Sequence, residues 1–393
     1  MSRFALFGLM MFSISRAAYA APPACASLSN PIYVQADDTQ TELVTRMGRA
    51  LRDNTNNPIT LVYVTSNSCA NVQAFEASTP ITSNLSFVPS TAESPNWTPA
   101  STSNSCTPPV GGVVPDVVST SIFRSTCTSQ ALPSTVHSTQ GPIEPYLIVV
   151  PQMSLQTAIT YEEAYFVFGF GEGGMVTPWE DESEIFIRPA SSSVMLSWAA
   201  NIGVPVNKWK GTPSSNSSAL IASLQSAAVA EKAVGIIDTA TYESNRSVLN
   251  ALAFRTLGQY AAYYPDSTSG LTDKQNVRDG HYTVWSPTFW FDRIDGGGVP
   301  VSANARYFVD LVAGNTVAPE ANFSVIDIIA AVRLIPDCAM NVSRVTEGGP
   351  LSLYAPTQSC GCKYDSIVGI SSCQTCSASC SSGVCRDGFC EVR

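Results

Sequence analysis

The chain is short of charge and nearly without histidine. Asp, Glu, Lys and Arg make up 13% of its 393 residues, and His137 and His281 are its two histidines. A histidine-rich metal site is therefore excluded, and a Ser–His triad would need one of these two beside a nucleophile. The G-x-S-x-G elbow, the G-x-x-x-x-G-K-[ST] phosphate loop and H-E-x-x-H are absent. Those gaps remove the common hydrolase, nucleotide and zinc-protease signatures. Beyond the N-terminal segment no apolar run approaches twenty residues, so no membrane-spanning helix is expected there. Arg278, Asp279 and His281 in "NVRDGHY" read either as acid–base machinery or as a polar turn closing onto a strand. Neither an enzyme nor a cofactor is expected.

What is present begins with "MSRFALFGLMMFSISRAAYA". Arg3 supplies a positive end, residues 4–15 an apolar stretch and Ala18-Tyr19-Ala20 a cleavage site, the pattern of a secretory signal peptide. Cleavage after Ala20 would leave 373 of the 393 residues and, by removing Arg3 and Arg16, take the formal charge from −10 to −12. Such a balance opposes binding to nucleic acid or anionic lipid. Export to the periplasm, cell surface or medium also permits disulfides. All twelve cysteines follow the signal: Cys25, Cys69, Cys106, Cys127 and Cys338, then Cys360, Cys362, Cys373, Cys376, Cys380, Cys385 and Cys390 within the last 34 residues. The tail's C-x-C…C-x2-C spacing also suits zinc, but the tail has no histidine and the total is even, which favours a disulfide-stapled module. Seven is odd, so Cys338 is expected to pair with a tail cysteine.

The pattern opens strand–helix–strand. "PIYVQA" (31–36) is a strand, and Thr39 and Glu42 fit a capping box for the helix that follows. "PITLVYVTS" (58–66) is a second strand, and residues 78–112 read as a long loop pinned by Cys69 and Cys106. Strands follow at 115–123 and 144–151, then an α/β unit with a capping box at Thr160 and Glu163, the strand "EIFIR", two further helices and the strand "AVGIID" (233–238). After residue 250 come a strand within 279–291 and helices at 302–314 and 322–335, which would complete the first sheet. The organisation expected is an α/β fold in two lobes: a signal peptide 1–20, lobe one from 21–142 and 250–335, lobe two from 143–249, and a Cys-rich module 336–393.

Strand, polar loop and helix recur four times. The loops carry Asp37-Asp38-Thr39, Ser66-Asn67-Ser68, Ser119-Thr120-Ser121, and Arg188 with Ser191, Ser192 and Ser193. In open α/β sheets such loops gather at the carboxyl ends of the strands, where ligands bind. Helix N-termini offer free N–H groups, hydroxyls add neutral donors and one guanidinium adds a forked donor, a set suited to a small oxyanion. The same residues also serve as ordinary N-caps, and Arg188 as a surface ion-pair partner.

"TYEEAYFVFGF" with Trp179, "IFIRPASSSVM", "AVGIIDTATY" and "SNSCANV", in the family's order, resemble a type II periplasmic binding protein of the phosphate-binding kind over roughly residues 30–335. The resemblance implies two α/β lobes that close on a ligand by a hinge, and a role in uptake beside a membrane transporter. It places the family's oxyanion-binding Arg on Arg188 and its Ser on Ser192, while its Gly and Thr fall on Ser193 and Val194. It further implies a ligand set drawn from Asp38, Thr39, Ser66, Ser68, Thr120, Ser121, Arg188, Ser191, Ser192 and Ser193. The family's third-loop Asp, which accepts the proton of hydrogen phosphate, is here Ser121. Two acidic residues, Asp37 and Asp38, stand in a first loop usually built from Gly, Ser and Thr; they would repel an anion or supply the missing acceptor. The alternative is a cell-surface or matrix protein that keeps the fold with an altered or lost site. The final "CSSGVCRDGFCE" is similar to short Cys-rich tails of secreted myxobacterial proteins.

Overall fold

The computed structural model describes residues 22–99, 101, 104–381 and 383–391; the expected signal peptide lies outside them. Its first half runs β1 (Pro31–Asp37), α1 (Thr41–Asp53), β2 (Thr60–Ser66), α2 (Ser68–Glu76), β3 (Leu85–Phe87), β4 (Ser105–Cys106), β5 (Val117–Thr120), α3 (Arg124–Cys127) and β6 (Val136–Pro151). Next come β7 (Ala158–Thr160), α4 (Tyr161–Phe170), β8 (Ile185–Ile187), α5 (Ser193–Ile202), β9 (Thr212–Pro213), α6 (Ser217–Gln225), β10 (Val234–Asp238), α7 (Thr239–Glu243), β11 (Leu249–Ala251) and β12 (Ala253–Arg255). The chain ends with α8 (Gln275–Arg278), β13 (Trp285–Arg293), α9 (Ala303–Val312), α10 (Val325–Ala331), β14 (Val342–Ser343), β15 (Ser352–Leu353), α11 (Gly361–Ile367), β16 (Val384–Arg386) and β17 (Phe389–Glu391).

One path of strands, β4-β3-β2-β1-β5-β13-β6-β10-β8-β9, crosses the molecule. β1 lies parallel to β2 and β5, and β13 returns antiparallel between β5 and β6. β6 belongs to both halves. Residues up to Pro145 pair with β13, whereas Tyr146 to Val149 pair with β10 and Val149 to Pro151 with β11. Gly141 is needed in this strand because a Cβ there would lie 2.8 Å from the Trp290 indole. β1, Leu43, Met47 and Leu51 of α1, and Phe308 of α9 share one buried cluster; β6 from Ile143 onward, α5 and β10 share another.

Several elements differ from the sequence reading. Residues 78–112 are not all loop: β3 and β4 add antiparallel strands at the β2 edge. Cys106 reaches Cys25, so this segment is tied to the N-terminus, and Cys69 pairs with Cys127. Leu249–Ala251 pairs with residues 149–151 and Ala253–Arg255 with residues 158–160, two short strands where the sequence reading placed none. The Thr160–Glu163 capping box forms, but the one at Thr39 does not; Glu42 pairs with Arg46 at 2.8 Å instead. Residues Gly169–Gly174 spell G-x-G-x-x-G, yet they close α4 rather than open a helix after a strand.

The tail is a disulfide module, with bridges Cys338–Cys360, Cys362–Cys373, Cys376–Cys385 and Cys380–Cys390. The sulfurs of Cys376, Cys380 and Cys385 lie close together but each is in a bridge, so they offer no thiolate to a metal. Arg278 docks the module: its Nε donates to Ala339 O at 2.8 Å, its Nη1 pairs with Asp365, and its guanidinium lies over the Tyr364 ring. The "NVRDGHY" segment is thus a structural turn, with Arg278 buried in it.

Candidate functional site

Three polar loops at the carboxyl ends of strands meet at Asp37. β1 ends in this Asp because the extended chain turns there into a single tight turn, and the carboxylate, 0% exposed, takes its first bond from Thr39 N at 3.2 Å. Thr39 Oγ1 is 2.8 Å from the same Oδ1. Ser68, opening α2, donates to Oδ2, and Ser193, opening α5 on the other half of the sheet, reaches Oδ1 at 3.3 Å. Ser121 closes the ring, with its N donating to Ser68 Oγ at 3.0 Å and its hydroxyl 2.9 Å from Thr39 Oγ1. Three hydroxyls from separate segments therefore contact one carboxyl group, and Ser121 links two of them.

Arg188 sits just past β8 and is 0% exposed. Its Nη2 donates to Asp38 Oδ2 at 2.6 Å and its Nη1 to Ser217 Oγ at 2.6 Å; Ser217 in turn lies 3.2 Å from Asp238 Oδ2. Arg188 Nε has no partner among the described residues. Asp38 lies at the edge of an open cavity of about 450 Å³ whose walls include Thr41, Thr98, Thr241 and Asn245.

The cluster holds protons. Thr39 Oγ1 lies 2.8 Å from Asp37 Oδ1 and 2.9 Å from Glu144 Oε2. A hydroxyl has one proton, so it can donate to one of these carboxyls and must accept from the other. At least one of the two is then a neutral acid. Burial, followed by the charge of Asp38, pushes the Asp37 carboxyl up to about 7. Burial, followed by Asp238 and Asp37, pushes Glu144 well above the ordinary glutamate value. Burial also raises Asp238, against hydrogen bonds from Thr241 and the nearby Arg188 charge.

No protein-family model matches the chain, and no curated protein matches it. Solved structures do. A candidate phosphate ABC transporter substrate-binding protein from Clostridium perfringens, determined with bound phosphate, aligns at 12% identity over 78% of this chain and 99% of its own, with a TM-score of 0.51. An ABC-type phosphate transport receptor from Vibrio cholerae aligns at 14% identity over 78% and 100%, with a TM-score of 0.49. The first of these matches shows the fold. The chain has the type II periplasmic binding-protein fold. To it is added a disulfide-rich C-terminal module.

On this binding-protein fold the sequence-selected residues divide. Thr39, Ser68, Ser121 and Ser193 join the ring, and Arg188 and Asp38 form the ion pair beside it. Ser192 is occupied as the N-cap of α5, bonding Met195 N at 3.3 Å. Thr120 turns back to Ile122 O at 2.8 Å. Among the described residues Ser66 and Ser191 have no side-chain hydrogen bond to the cluster. Gln40, Glu144, Ser217 and Asp238 around the ring were not selected from sequence, and Asp37 was read there as a first-loop acid rather than as the ring's centre. Each carboxylate had a signal: an acidic residue at one end of an apolar strand, as in "IYVQAD", "EPYLIVV" and "VGIID". Buried charge without a partner is costly, so such residues mark a site or a network.

Proposed function

We propose that this chain is an exported solute-binding protein whose interlobe cleft takes a small, phosphate-like oxyanion, delivering it to an ABC-type transporter without chemistry of its own. The observation that carries this reading is Arg188, a fully buried guanidinium in the loop after β8, holding an oxygen acid at 2.6 Å beside hydroxyls from three other loops. That is the donor set an oxyanion requires. The lobes we assign are residues 21–142 with the segment from 256–335, and residues 143–255; β6 is the crossing at 142–146 and the natural hinge. Titration tests the reading. Phosphate and sulfate are added to the mature protein in a calorimeter and in thermal melts, where a ligand at a hundredfold excess over Kd should stabilise by about 2.7 kcal/mol. No heat and no stabilisation from either anion, for the wild type and for Asp38→Asn alike, would refute it.

A second reading has its own support. Arg188 is already paired with Asp38, and the ring is already filled by Asp37. This favours a cell-surface or matrix protein that retains the fold for contacts with another macromolecule. An unliganded cleft in protein purified from its native source, with no anion response, would support it.

A further inference from the structure

We infer that Asp37 and Asp38 are a tethered occupant of the oxyanion site, so that the chain closes its own cleft and a free anion must displace Asp38 to bind. The inference rests on the oxyanion reading of the cleft.

Each acid makes the contacts an anion would make. Asp38 presents its Oδ2 to Arg188 Nη2 at 2.6 Å, the charge-assisted bond that fixes a ligand oxygen. Asp37 accepts from one backbone N–H and lies against the hydroxyls of Thr39, Ser68 and Ser193. Those groups come from three separate places in the chain, and Asp37 is the one side chain that all three reach. A hydroxyl ring of this kind around a side chain of the same protein is satisfied without any solute.

These bonds also cross between the halves of the sheet. Asp38 belongs to the turn after β1, whereas Arg188 follows β8; Asp37 and Ser193 make the same crossing. Glu347 adds a third link from the C-terminal segment, accepting from Ser197 of α5 at 2.7 Å and from Ser286 of β13 at 2.8 Å. In a binding protein of this fold the solute normally supplies such cross-lobe bonds and drives closure. Here the chain supplies them. Because Asp38 is attached within two residues of β1's end, its effective concentration at Arg188 far exceeds that of a dissolved anion. An open, binding-competent cleft is then a minor state, and the apparent affinity falls in proportion to its population. Arg188 Nε, buried and without a partner among the described residues, is the donor left over for a bidentate ligand, since Asp38 engages the guanidinium through one oxygen only.

The test uses the mature chain and Asp38→Asn, with Asp38→Ala as a second variant should the amide keep a bond to Arg188. Radius of gyration is measured by small-angle scattering with and without phosphate or sulfate, and affinity by calorimetry. The wild type should not change size with either anion. The variants should be larger without anion, should compact when it is added, and should bind at least tenfold more tightly. Variants that match the wild type in both size and affinity would overturn the inference. So would a loss of phosphate affinity, since Asp38 would then be a ligand-binding acceptor. Variants that open but close on neither anion would keep the tether and refute the oxyanion reading instead.

Discussion

Raising the pH from about 5 to about 8 should destabilise this protein, and the cause lies in Asp37. In an unfolded chain its carboxyl titrates at the ordinary 3.8; in the fold, burial and the Asp38 charge bring it to about 7. A group that holds its proton more tightly when folded stabilises the fold below its unfolded value. That contribution is lost as pH climbs through the folded value. The window therefore runs from about 4 to about 7, with stability falling as pH rises and levelling above. The difference between 3.8 and about 7 corresponds to as much as about 4 kcal/mol. Glu144 acts in the same direction. Thermal melts at constant ionic strength should show a melting temperature several degrees lower at about pH 8 than at about pH 5. Asp37→Asn, which cannot ionise, should flatten that slope. A melting temperature that is level or rises across the window, with Asp37→Asn unchanged in slope, would refute the buried-acid reading.

Three further outcomes are expected. Arg188→Ala should weaken phosphate or sulfate binding at least tenfold in calorimetry, since bonds to a charged partner contribute roughly 1.5–3 kcal/mol each, and Arg188→Lys should restore little because the fork is lost. Under denaturing, non-reducing conditions the mature chain should bind no alkylating reagent at its twelve cysteines, all of which lie in the six bridges. Glu347→Ala should lower stability by about 2 kcal/mol in denaturant melts, because the Ser197 and Ser286 hydroxyls lose their acceptor and the cross-lobe link is removed.

Much of the backbone was legible because apolar periodicity reports burial directly. β8 and β10 are runs buried on both faces, β1 and the first half of β2 are largely buried, and α1 places Leu43, Met47 and Leu51 on one side. Where burial is uneven the reading failed. β6 was seen only as 144–151, since "VHSTQGPIE" is polar and glycine-broken and becomes strand by pairing with β13. β3 and β4 are two or three residues long at a sheet edge, too short for a period to show. The Cys25–Cys106 bridge depends on that same edge packing, which no spacing of cysteines encodes.

The site was half legible, for a reason that bears on its ligand. Loops rich in Ser and Thr announce donors, and Arg188 announces charge, so the donor side of the cluster was found. The acceptor side was missed because Glu144 and Asp238 look like strand-end polar residues until β6 and β10 are placed side by side. Thr39 illustrates the point. Its spacing to Glu42 fits a helix cap, but its hydroxyl is drawn to Asp37 and Glu144, and the helix begins at Thr41 without it. The fold thus spends a capping group on the cluster. Acids gathered here with a single guanidinium disfavour a fully ionised ligand, whose charge would add to theirs. A proton-bearing anion suits them better, because a ligand O–H can donate to the Asp238 carboxyl instead of setting a charged oxygen against it. Sulfate, which carries no proton near neutrality, should therefore bind more weakly than phosphate wherever the cleft opens.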